Sequence, residues 1–216
     1  ELEQEMYGKE LMVFPLGLTP PEELWSKRPI KTLADIKGLK IRAAGLSMDL
    51  WEKLGASVVL LPGGEVLPSL QRGLIDATEF LEASVDYTFG FHEVCKYRFG
   101  PPIHMSNNIF QLLIKTKSWD ALPADLKAIV EKAAMAATFQ GYADFWQSTI
   151  EFNKKIEAYG TVTTKLSKAE QEKARKLGME IINEKAAKDP YFKKVWESQK
   201  AFIEKYKPYN DLTKFD

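Results

Sequence analysis

Apolar residues recur along this chain at two spacings, and the spacing changes wherever turn residues fall. Leu11-Met12-Val13-Phe14 is a short apolar run closed by Pro15, which predicts a buried strand. Gly17-Leu18-Thr19-Pro20-Pro21 reads as a loop, because its prolines fix the backbone and remove hydrogen-bond donors. Thr32 is placed to cap a short helix through Asp35 and Ile36, which Gly38 ends. From there the chain alternates. Strands are predicted over 39–43, 57–61 and 74–79, with helices over 47–54 and 65–71 between them. Leu50, Trp51 and Leu54 share one face of the first of these helices. Strand-helix-strand-helix-strand with short links is the signature of a parallel α/β sheet with right-handed crossovers.

An aromatic-rich stretch follows over 86–99, then a turn at Gly100-Pro101-Pro102 and a strand over 109–115. Trp119-Asp120-Ala121-Leu122-Pro123 introduces a helix, with Pro123 tolerated in its first turn. Leu126, Ile129, Val130, Ala133, Ala134 and Ala137 keep helical spacing, which continues through Trp146 and Ile150 to about Gly160. A helix of this length exceeds the usual 11–12 residues several-fold and is long enough to tie two lobes together. A strand is predicted over 161–164. Ser167 and Glu170 form a capping box for the next helix, and a last helix runs over 190–206, ahead of Pro208.

Composition narrows the function classes. Thirty basic and thirty acidic residues cancel among 216, so neither nucleic acid nor an anionic membrane surface is an expected partner. No apolar run approaches the roughly 20 residues that cross a bilayer. Cys95 is the only cysteine, so no internal disulfide forms, which fits a reducing compartment and a bridge-free periplasmic protein alike. It reads as a small buried hydrophobe. The opening residues are acidic where a signal peptide begins basic, which fits a mature chain, a trimmed one or a piece of a longer one.

Ligands of open parallel sheets bind beyond the carboxyl ends of the strands, beside helix N-termini that favour anions. Arg42, Gly63-Gly64, and Glu79 with Phe80 end the three predicted strands. Arg42 offers a planar fork matched to a carboxylate. Each has a plainer reading: a solvated or ion-paired arginine, an ordinary turn, a surface ion pair, a core aromatic. Enzyme motifs are thin. His92 and His104 have no zinc-ligand spacing and read as structural or surface residues, and no nucleophile elbow or phosphate loop is present.

Several separated motifs, in order, resemble the DctP-type solute-binding proteins of TRAP transporters. They are the segment from Pro29 to Arg42, the signature from Leu60 to Glu79, Gly90-Phe91-His92-Glu93-Val94-Cys95-Lys96-Tyr97, and Trp119-Asp120-Ala121-Leu122-Pro123. The resemblance implies an α/β, two-lobed periplasmic binding protein-like fold with parallel-rich sheets and a long lobe-spanning helix. It implies an extracytoplasmic, periplasmic receptor, not an enzyme, that closes on a small organic acid and delivers it to TRAP membrane permease subunits. By the same resemblance Arg42 pairs with the ligand carboxylate, Glu79 and Phe80 line the pocket, and Asn107 and Asn108 begin a strand near the cleft. No cofactor is required. Glu79 is the candidate ligand for a metal ion that bridges to the acid in the 2-oxo-acid branch. That branch carries a glutamine in the loop that here reads Thr19-Pro20-Pro21-Glu22-Glu23, and a tryptophan and Gly-Pro turn where Phe80-Leu81-Glu82-Ala83 stand here.

The implied organisation is a strand of the first lobe or hinge over 1–15, the ligand-binding unit of the second lobe over 16–105, a crossing strand and long connecting helix over 106–160, and a C-terminal strand and helices over 161–216. Family members carry an N-terminal portion supplying most of the first lobe, so that portion, or a second copy, is expected to complete it. The alternative functional reading is a ligand-sensing domain of a regulator that binds a carboxylate. An α/β enzyme acting on a carboxylate is a third.

Overall fold

A computed structural model describes residues 5–213. Its strands are β1 (Leu11–Leu18), β2 (Leu24–Ser26), β3 (Lys40–Arg42), β4 (Ser57–Val59), β5 (Ala77–Glu79), β6 (Tyr97–Phe99), β7 (Ile109–Lys115) and β8 (Val162–Thr164). Its helices are α1 (Ser47–Lys53), α2 (Gly63–Gln71), α3 (Ala83–Thr88), α4 (Phe91–Val94), α5 (Thr116–Asp120), α6 (Ala124–Tyr159), α7 (Lys168–Lys188) and α8 (Pro190–Thr213). The main sheet has six strands in the order β4-β3-β5-β2-β6-β8. β3 runs parallel to β4 and β5, as the alternating pattern predicts, and β6, a strand the sequence pattern does not mark, is parallel to β8.

β2 escaped the sequence pattern. Only three residues long, it runs antiparallel to both β5 and β6 and joins the two parallel pairs. Its alternation works at this minimal length. Leu24 points into one core with Ile36, Leu39, Ile41, Trp51 and Phe99, while Trp25 points into the other with Val66, Leu70, Ile75, Phe91 and Ile156. The sheet is thus buried on both faces, as parallel-rich sheets require. Cys95 is fully buried in the second of these cores, as its type suggests.

β1 and β7 form a separate antiparallel pair. Pro15 does not stop β1. The strand continues through it to Leu18, with a bulge between Pro15 and Gly17, because a strand with one neighbour loses no ladder bond at a proline on its open edge. Residues 17 and 18 are therefore strand, not loop. The segment after Thr32 is a single 3-10 turn (Leu33–Ile36), closed by a capping box between Thr32 and Asp35. At Ser167 half of the expected box forms: its hydroxyl accepts the Glu170 N–H, but Glu170 Oε2 accepts the Leu33 N–H instead. α8 runs through Pro208 rather than ending before it, since a proline near a helix end sacrifices few downstream bonds.

α6 is 36 residues long and packs across β1 and α3. Buried polar groups fix its second half. Glu82 caps α3 by accepting the Ser84 and Val85 N–H groups, and also accepts the Thr149 hydroxyl of α6 at 2.7 Å. Arg98 of β6 pairs with Glu23 at 3.0 Å and donates to Asn153 of α6.

Candidate functional site

Arg42 ends β3 and is buried, at 8% exposure. Its Nε donates to the Leu61 carbonyl at 3.2 Å, and its Nη1 to the Glu79 carbonyl at 2.8 Å. The guanidinium is therefore clamped between the chain segments that follow β4 and end β5. Its Cζ lies 5.1 Å from the centre of the Phe80 ring. Burial lowers its pKa, against the fields of Glu79 and Glu22. Among the described residues no carboxylate forms a salt bridge with it, and Nη2 takes no part in either hydrogen bond.

Phe80 packs edge-on against Phe91 and tilted against Phe89. Gly63 makes room for it. A Cβ at Gly63 would stand 3.0 Å from the Phe80 ring, so this glycine serves the aromatic wall beside Arg42.

Glu79 ends β5 with its carboxylate turned inward. Oε1 accepts the Ala44 N–H at 3.0 Å and the Ser47 hydroxyl, and Oε2 accepts the Trp51 indole N–H at 2.9 Å. It thereby braces the start of α1 just beyond Arg42. His104, its side chain fully shielded from solvent, packs against Trp51 with ring centroids 5.1 Å apart. Its Nε2 lies 3.3 Å from Glu79 Oε2 and 3.9 Å from Glu22 Oε2. Neither ring nitrogen of His104 has a hydrogen-bond partner. Burial lowers the His104 pKa, against the pull of Glu79.

Glu22 completes the cluster. Asn108 Nδ2 donates to its Oε1 at 2.5 Å, and the Asn108 backbone exchanges two hydrogen bonds with Thr19. Burial pushes the Glu22 pKa up to about 7; the Asn108 bond opposes that rise and the Glu79 charge reinforces it.

The structure thus gathers Arg42, Glu79, Phe80 and Asn108 around one locus. Asn107 is exposed, and no contact ties it to the others. Glu22 and His104 were missed, because nothing local in a proline-rich loop or a Gly-Pro turn marks them; the fold alone makes them neighbours. The oxygen and nitrogen atoms of Glu22, Glu79 and His104 lie within 4.8 Å of one another, a donor set that fits a cation. The unpartnered His104 nitrogen between two carboxylates supports that fit.

The family model described as bacterial extracellular solute-binding protein, family 7 (DctP) matches residues 23–189. The chain belongs to this family. A monocarboxylate 2-oxoacid-binding periplasmic protein of Nostoc sp. is 31% identical over 92% of the chain. A TRAP transporter solute-binding protein of Bordetella bronchiseptica, crystallised with calcium and picolinate, superposes over 98% of the chain with a TM-score of 0.92 at 25% identity. A TRAP periplasmic solute-binding protein of Colwellia psychrerythraea, with bound calcium and pyruvate, does so with a TM-score of 0.90 at 28% identity. The fold is that of the two-lobed TRAP binding proteins. The chain spans 55% of the Nostoc protein and 64% and 66% of the two crystallised TRAP proteins. Among the described residues no helix is long and apolar enough to cross a membrane.

Proposed function

We propose that this chain is the carboxylate-gripping part of a periplasmic TRAP receptor, which binds a short organic acid of the 2-oxo class without turning it over and presents it to membrane permease subunits. The observation that carries the reading is Arg42: a buried cation held by two backbone carbonyls, with no carboxylate of the described residues paired to it. A buried charge left in that state costs several kcal/mol, and an anionic ligand relieves it. The relatives named for 2-oxoacids and crystallised with pyruvate support the ligand class.

The Phe80 ring bounds the space beside Arg42, and Asn108 joins the neighbouring cluster through Glu22. Closure of the first lobe over this wall would exclude water and strengthen the arginine–carboxylate pair. In this reading the apolar side chains exposed on β7 and α6, Ile109 and Phe139 among them, are covered by the rest of the first lobe or by a second copy. Glu22, Glu79 and His104 would hold a cation, whose charge, when bound, offsets the two carboxylates and attracts a second oxygen of the acid.

Calorimetric titration with pyruvate tests the assignment. Arg42→Ala is expected to weaken binding by about 2–5 kcal/mol, the range for breaking a buried charged pair. Unchanged affinity removes Arg42 from the site. EDTA in the same titration is expected to weaken pyruvate binding to the unaltered chain, and indifference to EDTA removes the cation.

A further inference from the structure

We propose that the chain carries a second small-molecule site, between α1, α7 and the turn that follows β6, and that it takes an amphipathic organic anion longer than the acid held at Arg42. A cavity of about 560 Å³ lies there, within the range of roughly 300–1,000 Å³ typical of small-molecule pockets. Arg42, Glu79, Phe80, Glu22 and Asn108 are absent from its walls, so it adjoins the site described above across Ser47 and His104 without including its arginine or its carboxylates.

Its apolar lining comes from three places: Leu46 just before α1 with Leu50 within it, Ile103 of the turn, and Met179 and Ile182 of α7. Leu46 and Met179 remain 42% and 39% exposed, so an apolar body placed against them removes surface that the fold leaves in water. A short acid such as pyruvate fills only a small part of about 560 Å³.

The polar lining is unevenly charged. Lys168 and Arg175 both line the cavity from α7, with Glu172 between them, leaving one net positive charge. Neither cation has a salt bridge or hydrogen bond among the described residues. An exposed arginine with a free fork beside an apolar cavity is suited to a carboxylate head group. His104 supplies a further wall, and its Nδ1 is buried without a hydrogen-bond partner. Ser47 and His104 border both places. Each lines the cavity, and each touches the Glu79 carboxylate on its other side.

Gly178 lines the space from the middle of α7, and a Cβ built on it meets nothing within 4 Å, so a side chain has room to enter there. A larger side chain there fills the cavity and favours the helix, since glycine is a weak helix former by about 1 kcal/mol.

Octanoate is the probe, titrated calorimetrically into the unaltered 216-residue chain and into Gly178→Leu, Arg175→Ala and Arg42→Ala. Octanoate is expected to bind the unaltered chain. Both Gly178→Leu, which occupies the cavity, and Arg175→Ala, which removes the head-group cation, are expected to weaken it by about tenfold or more. Arg42→Ala is expected to leave octanoate affinity in place, and Gly178→Leu to leave pyruvate affinity in place, so failure of one site is distinguishable from failure of the other. A thermal melt of Gly178→Leu no lower than that of the unaltered chain shows that the loss is not unfolding. No octanoate binding to the unaltered chain, full affinity in either cavity variant, or loss of octanoate in Arg42→Ala overturns the proposal.

Discussion

Truncating Glu79 strands three donors at once: the Ala44 N–H, the Ser47 hydroxyl and the Trp51 indole N–H all end on its carboxylate. Each unsatisfied buried donor costs about 1–3 kcal/mol, partly recovered by relaxation and water. Glu79→Ala is therefore expected to lower the urea-unfolding stability by roughly 2–4 kcal/mol. A loss below the precision of the melts would show that Glu79 does not brace α1. Asp86 carries a pH signature. It accepts the Trp25 indole at 2.8 Å and the Leu81 N–H at 3.1 Å, and burial raises its pKa well above its ordinary 3.8. A raised carboxyl pKa means the folded state holds the proton more tightly than the unfolded one. Its burial is thus unpenalised below the unfolded value, and the penalty grows as pH rises towards and through the folded value. Asp86→Asn cannot ionise. Urea melts from about pH 4 to 8 are expected to show stability shifting in favour of the variant, relative to the unaltered chain, as pH rises; a shift the other way contradicts the assignment. Arg42, Glu79 and Phe80 were legible because each ends a strand of a recognisable β-α-β-α-β run. Glu22 and His104 were not: their roles come from contacts between loops distant in sequence, which no periodicity encodes.

Among the elements, α6 does two jobs. It packs against β1, while Thr149 and Asn153 reach the buried Glu82 and Arg98 of the six-stranded unit. The helix is thereby anchored to the wall that carries Arg42. Thr149→Val keeps the shape and removes one hydrogen bond to a buried carboxylate, with an expected cost of about 1–3 kcal/mol. Hydrogen exchange should speed up in the second half of α6 and in α3, and unaltered protection there would show that the Glu82–Thr149 bond does not anchor the helix. Elements with sustained periodicity were readable in advance, α6 most of all, whereas β2 was not. Three residues between prolines and a lysine-arginine pair carry too little pattern, and their strand state is imposed by β5 and β6 on either side. Likewise β1 passes through Pro15 and α8 through Pro208 because the missing N–H falls where the fold asks little of it.

On the scale of the whole molecule, a sheet buried on both faces places three strand ends at one edge, and that edge presents a guanidinium, an aromatic ring and a braced carboxylate. The DctP family assignment and the superposition on TRAP binding proteins agree with this arrangement, while the chain spans about two thirds of the crystallised members' length. An acid is expected to bind where Arg42 lacks an anionic partner. A crystal structure of the chain grown with pyruvate tests it most directly. The pyruvate carboxylate is expected within hydrogen-bonding distance of Arg42 Nη2, with Nε and Nη1 still held by Leu61 and Glu79. Pyruvate bound elsewhere, with no oxygen of the acid at that nitrogen, would contradict it.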